Sequence, residues 1–275
     1  MTYFSFLGLF LAIPIAIMLG LTWRDARLGR QIPQRFASYS PYAILALHLV
    51  MALVYTTPWD NYLVATAVWW YDQAKVTGIV FGYVPIEEYT FFLVQPILTG
   101  LWLMFWLRRQ PDVVKKGWEN GRFRLTALAI LGIVWVVMVA ILVTRWAPGT
   151  YLALILAWAQ LPIMLQVGFG GDILWEHRKL VLLGLAPPTL FLAAADTLAI
   201  YDGIWTIDPA QSLNWYLGGI LPFEEFLFFL ITNVLVVFGM TLFLSAESQE
   251  RLVQVKTAVS QWRINQVPVA SESKK

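Results

Sequence analysis

The sequence predicts an all-α integral membrane protein with seven transmembrane helices, arranged as two parallel three-helix repeats joined by a linking helix. Three observations predict it: an apolar composition, seven long apolar runs, and a duplicated Pro-x-Glu-Glu element. The 275 residues are 59% apolar and only 13% charged, with a mean hydropathy of +0.65. A soluble domain carries about a quarter charged residues. So much apolar surface cannot all be packed away from water, and lipid is the expected solvent. Cysteine is absent, which excludes disulfides, thiolate nucleophiles and cysteine metal sites. Two histidines, His48 and His177, argue against a His-based metal centre. No basic residue precedes the first apolar run, so it reads as a retained span rather than a secretory signal.

A run of about twenty apolar residues can cross a bilayer as a helix. Seven such runs are expected, at Tyr3–Trp23, Pro41–Thr57, Pro85–Leu107, Phe123–Thr144, Thr150–Gly168, Lys179–Tyr201 and Pro222–Leu244. Pro187-Pro188 should kink the sixth, because proline removes a backbone donor and crowds the preceding turn. The connecting charges set the orientation. Arg24, Arg27, Arg30 and Arg35 follow the first span, and Arg108, Arg109, Lys115, Lys116, Arg122 and Arg124 follow the third. Arg178 and Lys179 follow the fifth, and Arg251, Lys256, Arg263, Lys274 and Lys275 follow the seventh. The other side carries Lys75 and Arg145. The positive-inside rule then predicts a multi-pass protein of the cell membrane, with the N-terminus outside and the C-terminus in the cytoplasm. The polar stretch from Ala246 onward reads as a cytoplasmic tail, partly helical at most and disordered at its end.

Asp60, Trp69 and Asp72 recur at the same spacing as Asp196, Trp205 and Asp208. Both sets lead to Pro-x-Glu-Glu, at Pro85-Ile86-Glu87-Glu88 and Pro222-Phe223-Glu224-Glu225, and then to Phe91-Phe92 and Phe228-Phe229. The repeat predicts two equivalent units, 1–108 and 149–247, with 109–148 as a basic loop and linking helix and 248–275 as the tail. Parallel duplication of this kind puts a site at the interface between halves.

Each glutamate pair falls in the first turn of its helix, where proline is suited to the first position. Residues four apart share a face, so Glu87 lies above Phe91, Glu88 above Phe92, Glu224 above Phe228 and Glu225 above Phe229. Adjacent glutamates point about 100° apart, so only one of each pair can face a given cavity squarely. Two readings stay open. The helix dipole favours carboxylates in a first turn, and they could be ordinary caps. Acidic residues at the membrane are also costly and usually functional. The chemistry that fits is proton addition to an apolar substrate followed by proton removal, with aromatic faces stabilising a transient cation. Asp60, Asp72, Asp196 and Asp208 are expected on outer loops, shaping the cavity mouth with Trp69 and Trp205. His48 is expected to be a hydrogen-bonded core residue.

With two Pro-x-Glu-Glu copies in three-span halves joined by a linking span, the chain resembles the heterodimer-type lycopene cyclases of carotenoid biosynthesis, in a fused single-chain form. The resemblance rests on Val84-Pro85-Ile86-Glu87-Glu88, Leu221-Pro222-Phe223-Glu224-Glu225 and the Asp-Trp-Asp spacing. It implies an isomerase-type enzyme that closes the linear ψ ends of lycopene into β-ionone rings without net redox change. It implies Glu87, Glu88, Glu224 and Glu225 as catalytic candidates, with Pro85, Pro222 and the four phenylalanines shaping the site. It also implies a membrane-dissolved carotenoid as substrate, the lipid bilayer and carotenoid-pathway enzymes as partners, no nucleic acid, and neither cofactor nor metal. The alternatives are a cyclase of C50 or ε-ring carotenoids and, from another class, a proton-coupled transporter. A retinal-binding protein is rejected, because Pro222–Leu244 contains no lysine for a Schiff base.

Overall fold

The computed structural model describes residues 1–111 and 119–265. The basic-loop residues Lys115 and Lys116, and the tail end 266–275 where disorder is expected, lie outside the described residues. Helix α1 (Tyr3–Leu7) passes through a π-helical turn at Gly8–Ala12 into α2 (Ile13–Arg27). Next come α3 (Pro41–Ala65), the short strands β1 (Trp69–Tyr71), β2 (Val80–Phe81) and β3 (Val84–Pro85), and α4 (Ile86–Leu107). After α5 (Gly121–Thr144) the order runs α6 (Thr150–Glu176), α7 (Arg178–Tyr201), β4 (Trp205–Ile207), β5 (Tyr216–Leu217), β6 (Leu221–Pro222), α8 (Phe223–Leu244) and α9 (Ala246–Asn265). Among the described residues, seven helical segments are long and apolar enough to cross a membrane.

Several elements depart from expectation. Helix α3 starts at a Ser40 cap with Pro41 at its first position, but it continues through Pro58 to Ala65 rather than ending at Thr57. Proline is tolerated inside membrane helices because neighbours re-satisfy the freed backbone groups. Helix α6 likewise runs past Gly168 to Glu176, through one non-helical residue at Gly170 (φ −145°, ψ 28°). Helix α7 is continuous through Pro187-Pro188, so the break in helical geometry lies at Gly170 instead. Pro85 and Pro222 sit one position before their helices, as caps paired in β-bridges, rather than at the first helical position. The tail is more helical than expected, since α9 is a single element of 20 residues.

Helices α4 and α8 form the centre. Of their most apolar stretches 61% is buried, against 6% for α5. Helix α5 lies at the periphery against α6 and exposes Leu125, Ile133 and Val143, which suits a lipid-facing helix. Small residues let membrane helices approach closely. A Cβ on Gly184 of α7 would stand 3.1 Å from both Leu103 and Val237, so glycine there sets how near α7 comes to α4 and α8.

Two ends frame the bundle. At one, β1 pairs antiparallel with β4 (Trp69 with Ile207, Tyr71 with Trp205), and hairpins β2–β3 and β5–β6 lead into α4 and α8. At the other, buried aspartates hold arginines. Asp25 accepts both guanidinium nitrogens of Arg109 at 2.7 and 2.9 Å. Asp172 accepts Arg251 of α9 at 2.7 and 3.0 Å and the Asn120 amide at 3.0 Å.

Candidate active site

The strand-to-helix junctions decide where each glutamate points. Glu87 Oε1 accepts the Thr77 amide at 2.6 Å, and Glu224 Oε1 accepts the Leu213 amide at 2.7 Å. These two glutamates therefore hold the loops that precede their helices. The next residue, about 100° further round the helix, turns inward. Glu88 Oε2 accepts the hydroxyls of Tyr3 (2.5 Å) and Tyr71 (3.1 Å), while Glu225 Oε1 accepts that of Tyr151 (2.5 Å). Tyr3 opens α1 and Tyr151 is the second residue of α6; the Tyr3 amide donates to the Lys75 carbonyl and the Tyr151 amide to the Gln211 carbonyl. Tyr71 lies in β1. Burial first, then the carboxyls of Asp60 and Glu88 and the phenol of Tyr3, pushes its hydroxyl well above the ordinary phenol value. It stays protonated and remains a donor.

The aspartates divide. Asp60 and Asp196 are not on loops: the longer α3 and the end of α7 carry them into the interior, where both are fully buried. Asp196 Oδ1 accepts the Trp205 indole N–H at 3.0 Å, and its carboxyl lies against Glu225. Neither Asp60 oxygen has a hydrogen-bond partner among the described residues, nor does Trp69 Nε1. Asp72 and Asp208 do stay in the connecting turns, accepting the amides of Ala74 and Ala210 at 2.9 and 3.0 Å.

Glu88, Glu225 and Asp196 share one small cavity of about 40 Å³ with the three tyrosines, Trp69, Trp205, Phe91, Phe228 and Phe229. Phe91 meets Phe229 edge-on at 6.1 Å, and Phe228 stacks on Trp59 at 5.9 Å. The packing crosses over: Trp69 lies edge-on to Tyr151 and Trp205 lies against Tyr3. Phe92 does not line this cavity. With Phe91 and Phe228 it lines a second one, an apolar groove of about 710 Å³ between α3, α4, α6 and α8. At the cavity end of the groove α3 is tied to α6, by Tyr55 Oη to the Trp158 carbonyl (2.9 Å) and by Trp59 Nε1 to the Leu154 carbonyl (3.0 Å). Further along, Val50 and Val54 of α3 and Leu161 and Leu165 of α6 are exposed on the bundle surface.

Sequence reasoning missed the three tyrosines, which are hidden inside apolar or aromatic runs. A usable signal was present in Thr2-Tyr3 and Thr150-Tyr151, the same dipeptide at the starts of the first and fifth spans. It also missed the polar network at the bundle centre. Asn233 Oδ1 accepts from Gln95 (2.7 Å) and Thr99 (2.6 Å), and Asn233 Nδ2 donates to Thr189 (3.0 Å).

The family model described as lycopene cyclase matches residues 1–107 and 148–243, leaving out the stretch that contains α5. A lycopene beta-cyclase of Halobacterium salinarum is 41% identical over 195 residues, covering 71% of this chain and 79% of that protein. Bifunctional lycopene cyclase/phytoene synthases are also similar. That of Podospora anserina is 33% identical over 208 residues (71% of this chain, 34% of that protein), and that of Sporisorium reilianum 34% over 205 residues (71% and 29%). The chain thus corresponds to about a third of these fungal relatives. No solved structure matches it. The matched family model covers most of the sequence and both glutamate elements, and the chain belongs to the lycopene cyclase family.

Proposed function

We propose that the chain is a lycopene β-cyclase, converting the ψ ends of lycopene into β-ionone rings to give γ-carotene and then β-carotene, with Glu88 and Glu225 as its acid/base pair. The observation that carries the assignment is the convergence of these two carboxyls, from two different helices, in one aromatic cavity that shares Phe91 and Phe228 with a large apolar groove. The groove suits a long hydrocarbon, and the small cavity beside it supplies the carboxyls and aromatic faces that would act on its reacting end.

One carboxylic acid protonates C2 of the terminal double bond. The cation at C1 is captured by the C5–C6 double bond, forming the C1–C6 bond and leaving the charge on C5. The other carboxylate removes a proton from C6 and the ring double bond forms. One proton enters and one leaves, so there is no net redox change. The faces of Phe91, Phe228 and Phe229 can each stabilise the passing cation by roughly 0.5–2 kcal/mol. Glu87 and Glu224 act at one remove, by fixing the loops that start α4 and α8.

Residues 1–108 and 149–247 are read as parallel repeats, with 109–148 as the link and 248–275 as the tail. The paired contacts Tyr3–Glu88 and Tyr151–Glu225, and Thr77–Glu87 and Leu213–Glu224, support this reading. The N-terminus is outside and the C-terminus cytoplasmic, because the arginine-rich end lies opposite the acid cavity. Lycopene dissolved in the bilayer is the substrate, and other enzymes of the carotenoid pathway are the natural neighbours. Expression in a lycopene-accumulating bacterium, with pigments separated by chromatography, tests the function. Cyclic carotenes are expected, and unchanged lycopene in the presence of inserted protein would overturn it.

A further inference from the structure

The two cavity glutamates differ in what surrounds their carboxyls. Glu88 Oε2 takes two phenol hydroxyls, from Tyr3 and Tyr71. Two O–H donors on one oxygen hold the ionised carboxylate best. Glu225 takes one phenol, from Tyr151, and its other neighbour is a second carboxyl. Asp196 lies within hydrogen-bond reach of it. Trp205 donates to Asp196 Oδ1, and Asp196 Oδ2 is buried without a donor. Two carboxyls in hydrogen-bond contact need a hydrogen between them, and a protonated carboxyl has one O–H to give. Oδ2 is therefore the oxygen of Asp196 that carries it. Asp60, the counterpart of Asp196 by spacing, makes no hydrogen bond to Glu88 among the described residues. A second carboxyl thus supports one cavity glutamate and not the other.

Exposure separates the partners. Asp196 is fully buried, whereas Glu225 keeps 6% of its surface and Glu88 8%, and both glutamates line the cavity. The glutamates can meet a substrate there, and Asp196 acts from behind Glu225. Protonating an alkene needs an acid that holds its proton at rest. Taking a proton from a tertiary cation needs only a carboxylate that is ionised when the cation arrives. Among the described residues no lysine or arginine lines the cavity. Beside an ionised Glu88, the Asp196–Glu225 contact has no counter-charge and is held as two neutral carboxyls.

We infer that Glu225 is the acid and Glu88 the base, with Asp196 as a positioning residue whose O–H holds the Glu225 carboxylate as it forms. The assignment rests on the cyclase reading of the cavity. Glu225 gives its proton to C2, the C1–C6 bond closes, and Glu88 takes the C6 proton as the C5–C6 double bond forms. The cavity resets when the proton on Glu88 passes to Glu225, so protons balance over a turnover.

The test is lycopene turnover in deuterium oxide by the full-length protein in proteoliposomes. Two quantities are read by mass spectrometry and NMR: deuterium at C2, in recovered lycopene and in every ring formed, and the number of β rings. Their ratio is independent of how much protein is folded. In the wild type each β ring should carry one deuterium at C2, a ratio of about one. In Glu88→Gln the acid still works, but the C6 proton has no acceptor. The cation reopens, Glu225 takes back either isotope, and the ratio should exceed about ten. In Glu225→Gln deuterium entry and ring formation fall together, and the ratio should stay at about one. The reverse pattern, or equal ratios in the two variants, overturns the assignment. Asp196→Leu should slow β-ring formation about 10–100-fold. Its rings should remain β, because the base is untouched, whereas a merely loosened cavity would also shed the C4 proton and give ε rings. Asp196→Asn keeps an N–H donor and should recover the rate to within about three-fold of the wild type. Asp196→Leu at the wild-type rate, ε rings from it, or an asparagine variant as slow as the leucine one, overturns the role of Asp196. Absence of β rings from the wild type would sink the cyclase reading itself, whereas wild-type conversion with reversed ratios sinks the assignment alone.

Discussion

The four glutamates are expected to separate into two classes when each is changed to glutamine. Glutamine keeps the size and one acceptor oxygen but cannot deliver or remove a proton. At Glu88 and Glu225, whose carboxyls line the cavity, the loss should be that of a general acid or base, about 10²–10⁴-fold in kcat. At 1.36 kcal/mol per tenfold, this is roughly 3–5 kcal/mol on the barrier. At Glu87 and Glu224 the structure supports a smaller effect. Each accepts one loop amide, at 2.6 and 2.7 Å, and glutamine can still accept it. Only the charge assistance is lost, about 1 kcal/mol. Even if all of it appeared in the transition state, the rate would fall by about five-fold, and most should appear as a lower Tm. The assay is the initial rate of lycopene consumption in proteoliposomes, normalised to inserted, monodisperse protein. Glu88→Gln or Glu225→Gln at full activity, or Glu87→Gln as damaged as Glu88→Gln, would refute the division.

Tyr3→Phe and Tyr151→Phe each remove a hydrogen bond to a cavity carboxyl. With bonds to charged groups worth about 1.5–3 kcal/mol, kcat should fall roughly 10–100-fold while the protein stays folded by circular dichroism. Arg251→Met leaves Asp172 buried without its bidentate partner; the cost should be about 3–5 kcal/mol, seen as a lower Tm and faster proteolysis of α9. Glu247, in α9, offers a pH test. Burial raises its carboxyl, but His177, whose Nε2 stands 3.4 Å away, with the backbone and Arg35, outweighs burial and holds it below the ordinary value. A depressed folded-state value gives stability that is fully present above the unfolded value, about 4.3, and lost as pH falls through the folded one. Glu247→Gln should therefore melt below the wild type at neutral pH, with the difference closing below about pH 4.

The seven spans were legible because bilayer thickness imposes a length and lipid imposes a composition, and both are local properties of the chain. The glutamate elements were legible because acids are rare in such runs. The spans' ends were harder to read. The second span is expected to end at Thr57, yet α3 passes through Pro58, and Trp59, Leu63 and their neighbours bury enough surface to carry it on to Ala65. That extension moved Asp60 from an expected loop into the interior. The choice between Glu87 and Glu88 was limited by geometry rather than by pattern. The 100° offset is visible in sequence, but its direction depends on where the β2–β3 hairpin pins the helix start. Tyr3 and Tyr151 escaped notice because an aromatic residue in an apolar run looks the same whether its hydroxyl is bonded or not.

The crossed packing of Trp69 on Tyr151 and Trp205 on Tyr3 has a genetic consequence. Each carboxyl takes a phenol from its own stretch of sequence, but the indole behind that phenol comes from the other. Neither stretch can drift alone without disturbing its counterpart's acid. A lesion at Trp69 should therefore be felt at Glu225, and second-site suppressors should arise near Tyr151, more than eighty residues away in the chain. The two coding segments are bound to change together although α5, a peripheral helix, stands between them in the chain.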